Sequence, residues 1–329
     1  LHDNQAVAFI RLGTDFSDNY YQVEIPLKVT QPGSSSEYAI WPKENQFSIP
    51  MEVLTKLKAI SIRNQTLDRV TYYDANYNVV SENAPYHAGE NRYVIKGNPS
   101  LGSVRAMMVG IKNVSGNNGL SGEFWFNELR VAELENHGGW AAIGSLDANA
   151  SELLNISATG RMHTVGFGSV DQTPKQRALE STQEYDVMMN VNAGKLLPPK
   201  WNMQIPVGLS HSQKRSTPEY DPVYQDIKLK DRLEVAQSSS ERDVIREQAE
   251  DFTLRRGINL IGVKKNLSEG QKPRVYNIEN FTFNYAYNEK NHRDYELKYE
   301  DEQQVRAGFM YNYAFKPTAF EPFKKVAKF

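Results

Sequence analysis

The sequence predicts an all-β protein: a jelly-roll-like β-sandwich at the front, followed by antiparallel strands of the transmembrane-barrel type with a short charged helical insertion. Before residue 136, short β-rich runs are separated by Gly, Asn and Pro. After residue 137, the strands lengthen and carry one apolar and one polar side. We therefore expect a β-sandwich domain at residues 1–136 and barrel-wall strands at residues 137–329, with the helical insertion at about 238–256.

The front domain is predicted from the alternation and spacing of its short strands. In Tyr20–Val29 almost every second residue is apolar, the period expected of a half-buried antiparallel strand. Pro32-Gly33 and Asn118-Gly119 are turn signals between such runs. This spacing is typical of a sandwich or jelly roll. The runs are Ala8–Leu12, Tyr20–Val29, Phe47–Ile49, Arg69–Tyr73, Arg92–Ile95, Val104–Lys112 and Glu123–Val131.

Two segments have helical spacing. Pro50–Leu57 predicts a helix of one or two turns, because a proline is tolerated in the first turn. In residues 238–256, serines offer an N-cap, a narrow apolar stripe follows, and Gly257 stands at a natural C′ position. Because the rest of this helix is charged, we expect it to lie in water outside the barrel wall.

The rear domain is predicted from strands whose two sides differ in polarity. Glu279–Asn288 and Ala307–Lys316 each carry four alternating aromatic residues, as transmembrane barrel strands of about ten residues do. The predicted lipid-facing residues are Phe281, Phe283, Tyr285, Tyr287, Phe309, Tyr311, Tyr313 and Phe315. The predicted lumen-facing residues are Thr282, Asn284, Asn288, Asn312 and Lys316. Alternatively, the aromatic side is the core of a second soluble sandwich; the predominance of Tyr over Val and Ile favours the barrel.

Between these two segments the sequence predicts a turn followed by a short strand. The polar run Asn288–Asp294 supplies the turn, and Tyr295, Leu297 and Tyr299 then alternate with charged residues. The same alternation recurs in Trp201–Leu209.

Charge and composition exclude several classes of partner and chemistry. Lys and Arg number 38 against 40 Asp and Glu, interspersed to a net charge of -2, so nucleic acid is not an expected partner. The absence of cysteine removes disulfides and thiolate metal sites. No apolar run reaches the roughly 18–20 residues of a spanning helix. Because Leu1 is preceded by no initiator Met, we expect the chain to be part of something longer.

No motif for catalysis, a metal or a cofactor emerges. The six His residues are scattered without ligand spacing. Asp74–Asn78 begins like a calcium loop but has Val79 where the loop needs Gly, so a solvated turn is favoured. The glycines at 116–122 and 166–168 lack a following helix with Lys-Ser/Thr and are interpreted as turn residues. We expect no cofactor and no enzymatic activity.

Four aromatic residues of the front domain allow two interpretations. Trp41, Tyr20, Tyr21 and Trp125 could form a carbohydrate-stacking platform, or they could fill the core between sheets. The core interpretation is favoured, because large aromatic residues in sandwiches are usually buried.

Four stretches together resemble a known family: Phe9–Asp15, Phe126–Val131, Gly138–Asn149 and Tyr220–Ile227. They are similar to the SprA/Sov proteins of Bacteroidetes, and Gly138–Asn149 is the most specific of them. The resemblance implies the outer-membrane translocon of the type IX secretion system, a single very large barrel that exports folded cargo and supports gliding motility. It also implies two partners, the outer-membrane protein PorV and a periplasmic plug.

The strand count limits this interpretation. Residues 137–329 hold about eight candidate strands, and eight strands close a barrel that is filled by its own side chains. We therefore expect an arc of a wider barrel wall in the bacterial outer membrane, in contact with its lipid. The alternatives are a soluble all-β glycan- or protein-binding module and a glycan-degrading enzyme, which would need an essential carboxylate.

Overall fold

The computed structural model describes residues 1–116, 119–132, 136–268 and 270–315. It is an all-β structure with two antiparallel sheets, as the sequence predicts. The chain divides into two compact units. The first comprises Leu1–Gly139, Val165–Ser181 and Thr217–Glu250, and the second comprises Trp140–Thr164, Thr182–Ser216 and Asp251–Phe329.

The first unit contains a six-stranded antiparallel sheet with strand order β4-β3-β5-β2-β1-β6. The strands are β1 (Ala6–Gly13), β2 (Tyr20–Pro26), β3 (Thr71–Tyr73), β4 (Val79–Val80), β5 (Arg92–Lys96) and β6 (Ala106–Asn113). Alternation along β2 directs Tyr21 and Val23 to one face, where they pack with Leu54, Leu57 and Ile60 of a helix. The core of the first unit therefore lies between this sheet and that helix.

The helix that covers this sheet is α2 (Met51–Arg63). It is longer than the predicted Pro50–Leu57, because its buried side continues through Ala59 and Ile60. A shorter helix, α1 (Glu37–Ile40), begins after Ser36, whose hydroxyl accepts the N–H of Ala39.

The predicted sandwich is not confirmed, because α2 rather than a second sheet covers the core face among the described residues. Phe47 and Ile49 pack against this core without forming a strand. The predicted strand Glu123–Val131 is irregular, and Glu128 in its middle has a positive φ of 43° that interrupts an extended chain.

The third part of the first unit, Thr217–Glu250, contains the helices α3 (Leu229–Val235) and α4 (Ser239–Ala249). The Ser238 hydroxyl caps α4 by accepting the N–H of Glu241, and Ile245 and Ala249 pack against Leu229. The insertion predicted at 238–256 thus ends as a helix at Ala249, because residues 251–256 join the second sheet as a strand.

The second unit is built on an antiparallel sheet in which each long strand pairs with the next long strand, in the order β14-β13-β12-β11-β9-β8-β7. The long strands are β7 (Ala141–Ala150), β8 (Leu154–His163), β9 (Glu180–Asn192), β11 (Pro206–Pro218), β12 (Asp251–Lys265), β13 (Phe281–Arg293) and β14 (Glu300–Tyr311). The short β10 (Met203–Gln204) pairs with β12. Val165–Ser181 and Thr217–Glu250 connect β8 to β9 and β11 to β12.

The hairpin of β13 and β14 differs from its prediction. Pairing runs from Phe281 opposite Tyr311 to His292 opposite Glu300, so residues 288–293 are strand and not turn. The turn lies at residues 294–299, where the Asp294 carboxylate accepts the N–H groups of Glu296 and Leu297. That carboxylate is a local turn signal that hydrophobic alternation does not reveal.

Candidate functional site

One face of the second sheet is apolar along β11 to β14. Phe281, Phe283, Tyr285 and Tyr287 share one side of β13, because successive residues of a strand point to opposite faces. Their cross-strand partners extend this side in both directions. The partners are Phe309 opposite Phe283, Leu260 opposite Tyr285, Ile258 opposite Tyr287, and then Val207 and Leu209 on β11.

The same apolar face continues across β7 to β9. The ring of Tyr185 stacks on His211, with centroids 5.7 Å apart, so Tyr185 lies on the same side of the sheet as Leu209. Val187 and Met189 follow Tyr185 at the strand period and stand opposite Ala158 and Ile156 of β8. Leu146 and Ala148 of β7 complete the face. We call this surface, from β7 to β14, the apolar face.

The opposite side of the sheet, the polar face, carries hydroxyl, amide and charged groups. Arg161 makes ion pairs with Glu184 at 3.3 Å and Asp186 at 3.6 Å. Lys290 and Glu300 lie 2.7 Å apart. Further polar side chains on this face include Thr282, Asn284, Asn288, Ser210, Ser212, Gln304 and Arg306.

Among the described residues of the second unit, no further layer covers the apolar face. Phe309 is 74% exposed, Leu146 63% and Val305 60%. Every buried hydrophobic side chain of the described ranges belongs to the first unit, and none belongs to the second. A sheet of a water-soluble domain normally buries one face against another layer, and this sheet does not do so within its own unit.

The predicted site residues separate onto the two faces where β13 and β14 are regular. Phe281, Phe283, Tyr285, Tyr287, Phe309 and Tyr311 lie on the apolar face, and Thr282, Asn284 and Asn288 on the polar face. Tyr313 and Phe315 follow the end of β14, with ring centroids 4.9 Å apart. Asn312 also follows β14 and donates its N–H to the Asn280 carbonyl. Lys316 lies outside the described residues.

Exposed aromatic residues stand at both ends of the sheet. Trp140 precedes β7 and Tyr299 precedes β14 at one end, while Trp201 and Tyr276 lie in the connections at the other end. All four side chains are more than half exposed. Rings with this placement are typical of the aromatic belts of membrane proteins.

Sequence reasoning missed the part of the apolar face on β9. Tyr185, Val187, Met189 and Val191 alternate with Asp186, Met188 and Asn190, so the period of two was present in the sequence. The small residues of β7, such as Ala142, Gly144 and Ala148, gave no comparable signal because they contribute little apolar area.

The front-domain candidates divide between the core and the surface. Tyr21 is buried in the core between the sheet and α2, Tyr20 is buried on the opposite face of the sheet beneath the guanidinium of Arg11, and Trp41 and Trp125 are exposed. Asp74 forms the predicted turn: its carboxylate accepts the N–H groups of Asn76 and Asn78, and these bonds hold its pKa below the usual value. Within the described ranges, no three His, Asp or Glu side chains are grouped closely enough to hold a metal ion.

In the described parts of the chain, no helix combines the length and the hydropathy that a membrane span requires.

The fold and the two faces define an all-β protein whose second unit presents a large two-sided sheet. The family model of the N-terminal region of SprA, described as a motility related/secretion protein, matches residues 1–233. The chain therefore belongs to the SprA family, a family of secretion and motility proteins and not of enzymes. A search of the curated proteins found no match to this chain.

Proposed function

We propose that the second unit is an arc of the wall of a very large outer-membrane β-barrel that exports folded proteins by type IX secretion and serves gliding motility. The observation that carries this proposal is the two-sided sheet, with an uncovered apolar face and a hydrophilic opposite face. In a barrel wall the apolar face meets lipid and the polar face lines a wet interior. Membership of a secretion and motility family supports the same conclusion.

The two outer strands of the sheet give independent support. Neither β7 nor β14 has a partner strand on its outer side among the described residues. Long exposed edges are a liability in water, and barrel closure removes them. We propose that further strands of the same barrel pair with both edges, so that this chain supplies only part of the circumference.

The proposed partners follow from the proposed channel. A PorV-like outer-membrane protein and a periplasmic plug would close a pore that is too wide to remain open, and secreted cargo would pass along the polar face. The polar face carries charges of both signs, so a passing protein would meet no extended region of a single charge. These charged residues include Arg161, Glu184, Lys214 and Arg306.

Cysteine scanning tests the proposal, since the chain has no cysteine of its own. Single cysteines at positions 280–288 and 308–316 would be treated, in membranes, with a membrane-impermeant maleimide and with a lipid-soluble one. We expect positions 282, 284 and 288 to react from water and positions 281, 283, 285 and 287 only from lipid. If the aromatic positions resist both reagents and salt releases the protein, the soluble binding module replaces the barrel.

A further inference from the structure

The segment Thr217–Glu250, here called the arm, joins β11 to β12 and packs within the first unit. It has internal structure of its own. The carboxylate of Asp221 accepts the N–H groups of Val223 and Tyr224 and also pairs with Arg232. Helices α3 and α4 pack on each other in a separate small cluster. The arm can therefore keep its own fold when its outer contacts change.

The arm contacts helix α2 through a buried ion pair. Lys58 Nζ lies 2.6 Å from Asp226 Oδ1, and the two side chains are only 2% and 3% exposed. Lys58 also donates to the Pro99 carbonyl at 2.8 Å, and Asp226 accepts from the Tyr21 hydroxyl and the Leu101 N–H. Every charged atom of this pair is thus bonded in the docked arrangement.

The surrounding contacts between α2 and the arm are also mostly polar. Lys56 pairs with Glu234 at 3.2 Å, and Lys228 lies 4.0 Å from Glu52. Arg63 donates to the Val235 carbonyl. Since exposed pairs each contribute little, the buried pair and the few apolar contacts of the arm determine whether it stays docked.

Docking of the arm on α2 removes the charges of both Lys58 and Asp226 from water. Burial lowers the pKa of Lys58 despite the nearby Asp226 carboxylate, because removing an ammonium group from water opposes its charge. Removing one partner of such a pair leaves the other charge buried and uncompensated, whereas replacing both can be neutral. An arm released from α2 would return both groups to water.

We propose that the arm is a releasable element: a buried charge left without its partner at Lys58 or Asp226 releases it from α2, and it detaches as a unit while the six-stranded sheet stays folded. The proposal does not depend on the barrel wall, because every contact that carries it lies in the first unit.

Amide hydrogen exchange of the full chain tests this, with Lys58→Met, the double variant Lys58→Met/Asp226→Asn, and Lys96→Met as the matched control. Lys96 pairs with the exposed Asp18 at 2.9 Å, so its loss removes a cation without leaving a buried charge. We expect Lys58→Met to raise exchange in residues 219–250 at least about tenfold, with β1, β2 and β5 unchanged. The double variant should restore protection, and the control should match the unmodified protein.

Three results would overturn the proposal. Equal acceleration in the arm and in β1 and β2 would make the arm an inseparable part of the core. Unchanged exchange in the arm of Lys58→Met would show that the pair does not control docking. A double variant as unprotected as the single one would show that the lost bonds, and not an uncompensated charge, matter.

Discussion

Phe283 of β13 and Phe309 of β14 stand directly opposite each other, with ring centroids 6.1 Å apart in an edge-on arrangement. Such a pair is normally found in a core, but here both rings lie on the uncovered apolar face, and Phe309 is among its most exposed members. This pair therefore marks the position where a charge should distinguish a lipid-facing surface from a water-facing one.

Arginine substitutions on the two sides of β14 should have unequal effects. Phe309→Arg places a charge on the apolar face near the end of β14 and should lower the free energy of unfolding in lipid vesicles by about 1–2 kcal/mol, since the cost of a charge is largest at the bilayer midplane and falls toward either interface. Gln304→Arg, on the polar face opposite Asn288, is the control and should cost little. Urea titration in vesicles measures both variants, and equal costs would contradict a lipid-facing assignment.

Two adjacent glycines of the first unit should differ in their tolerance of alanine. A Cβ on Gly139 would lie 2.2 Å from the Phe167 backbone nitrogen, whereas one on Gly138 would meet nothing within 4 Å. Gly139→Ala should therefore destabilise the protein by about 1–3 kcal/mol through overpacking. Gly138→Ala should leave the urea midpoint nearly unchanged. Similar midpoints for both variants would refute the close backbone approach.

Removal of the Tyr86 hydroxyl should lower the free energy of unfolding of the first unit. Tyr86 donates at 2.6 Å to the carboxylate of Glu24, a fully buried residue of β2. Tyr86→Phe removes this donor and should cost about 1–3 kcal/mol, because a buried acceptor then loses a partner. Tyr38→Phe, at a residue that is 72% exposed, is the control and should have no effect in denaturant titration. A neutral Tyr86→Phe would mean that Gln22 and Lys112 satisfy the Glu24 carboxylate without the phenol.

Stability of the first unit should fall in alkaline solution. Burial raises the pKa of the phenols of Tyr21, Tyr72 and Tyr86, and nearby carboxylates add to the effect. The folded state therefore keeps these protons, whereas the unfolded chain releases them above about pH 10. The stabilisation is complete below that pH and is lost as the pH rises further. Substituting Tyr21, Tyr72 and Tyr86 by Phe one at a time isolates their share of the phenolate absorbance, which should rise together with unfolding and not before it.

The sequence predicted the strands of the second unit better than the architecture of the first. Four alternating aromatic residues fix the sides of β13, because the period of two is a local property of the chain. The turn of the last hairpin was misplaced, because the polar residues 288–293 pair as strand, whereas Tyr295, Leu297 and Tyr299 alternate with charged residues as a strand would but lie in the turn.

The first unit was less predictable because its second layer is set by long-range packing. Helix α2 covers a sheet face for which the spacing of the strands had suggested a second sheet. Likewise, the pairing of Lys58 with Asp226 joins residues 168 positions apart, and no local pattern links them. The uncovered apolar face could be predicted only as one of two alternatives, since aromatic alternation alone suits lipid and a soluble core equally.

The neighbour order of the second sheet has a consequence for how the protein is made. Because each long strand pairs with the next long strand along the chain, the sheet can grow by one hairpin at a time as new segments arrive. Closing each short connection costs less chain entropy than joining distant segments. Thr217–Glu250 is the longest connection between neighbouring strands of this sheet. When this connection folds, it brings the start of β12 close to the unpaired edge of β11.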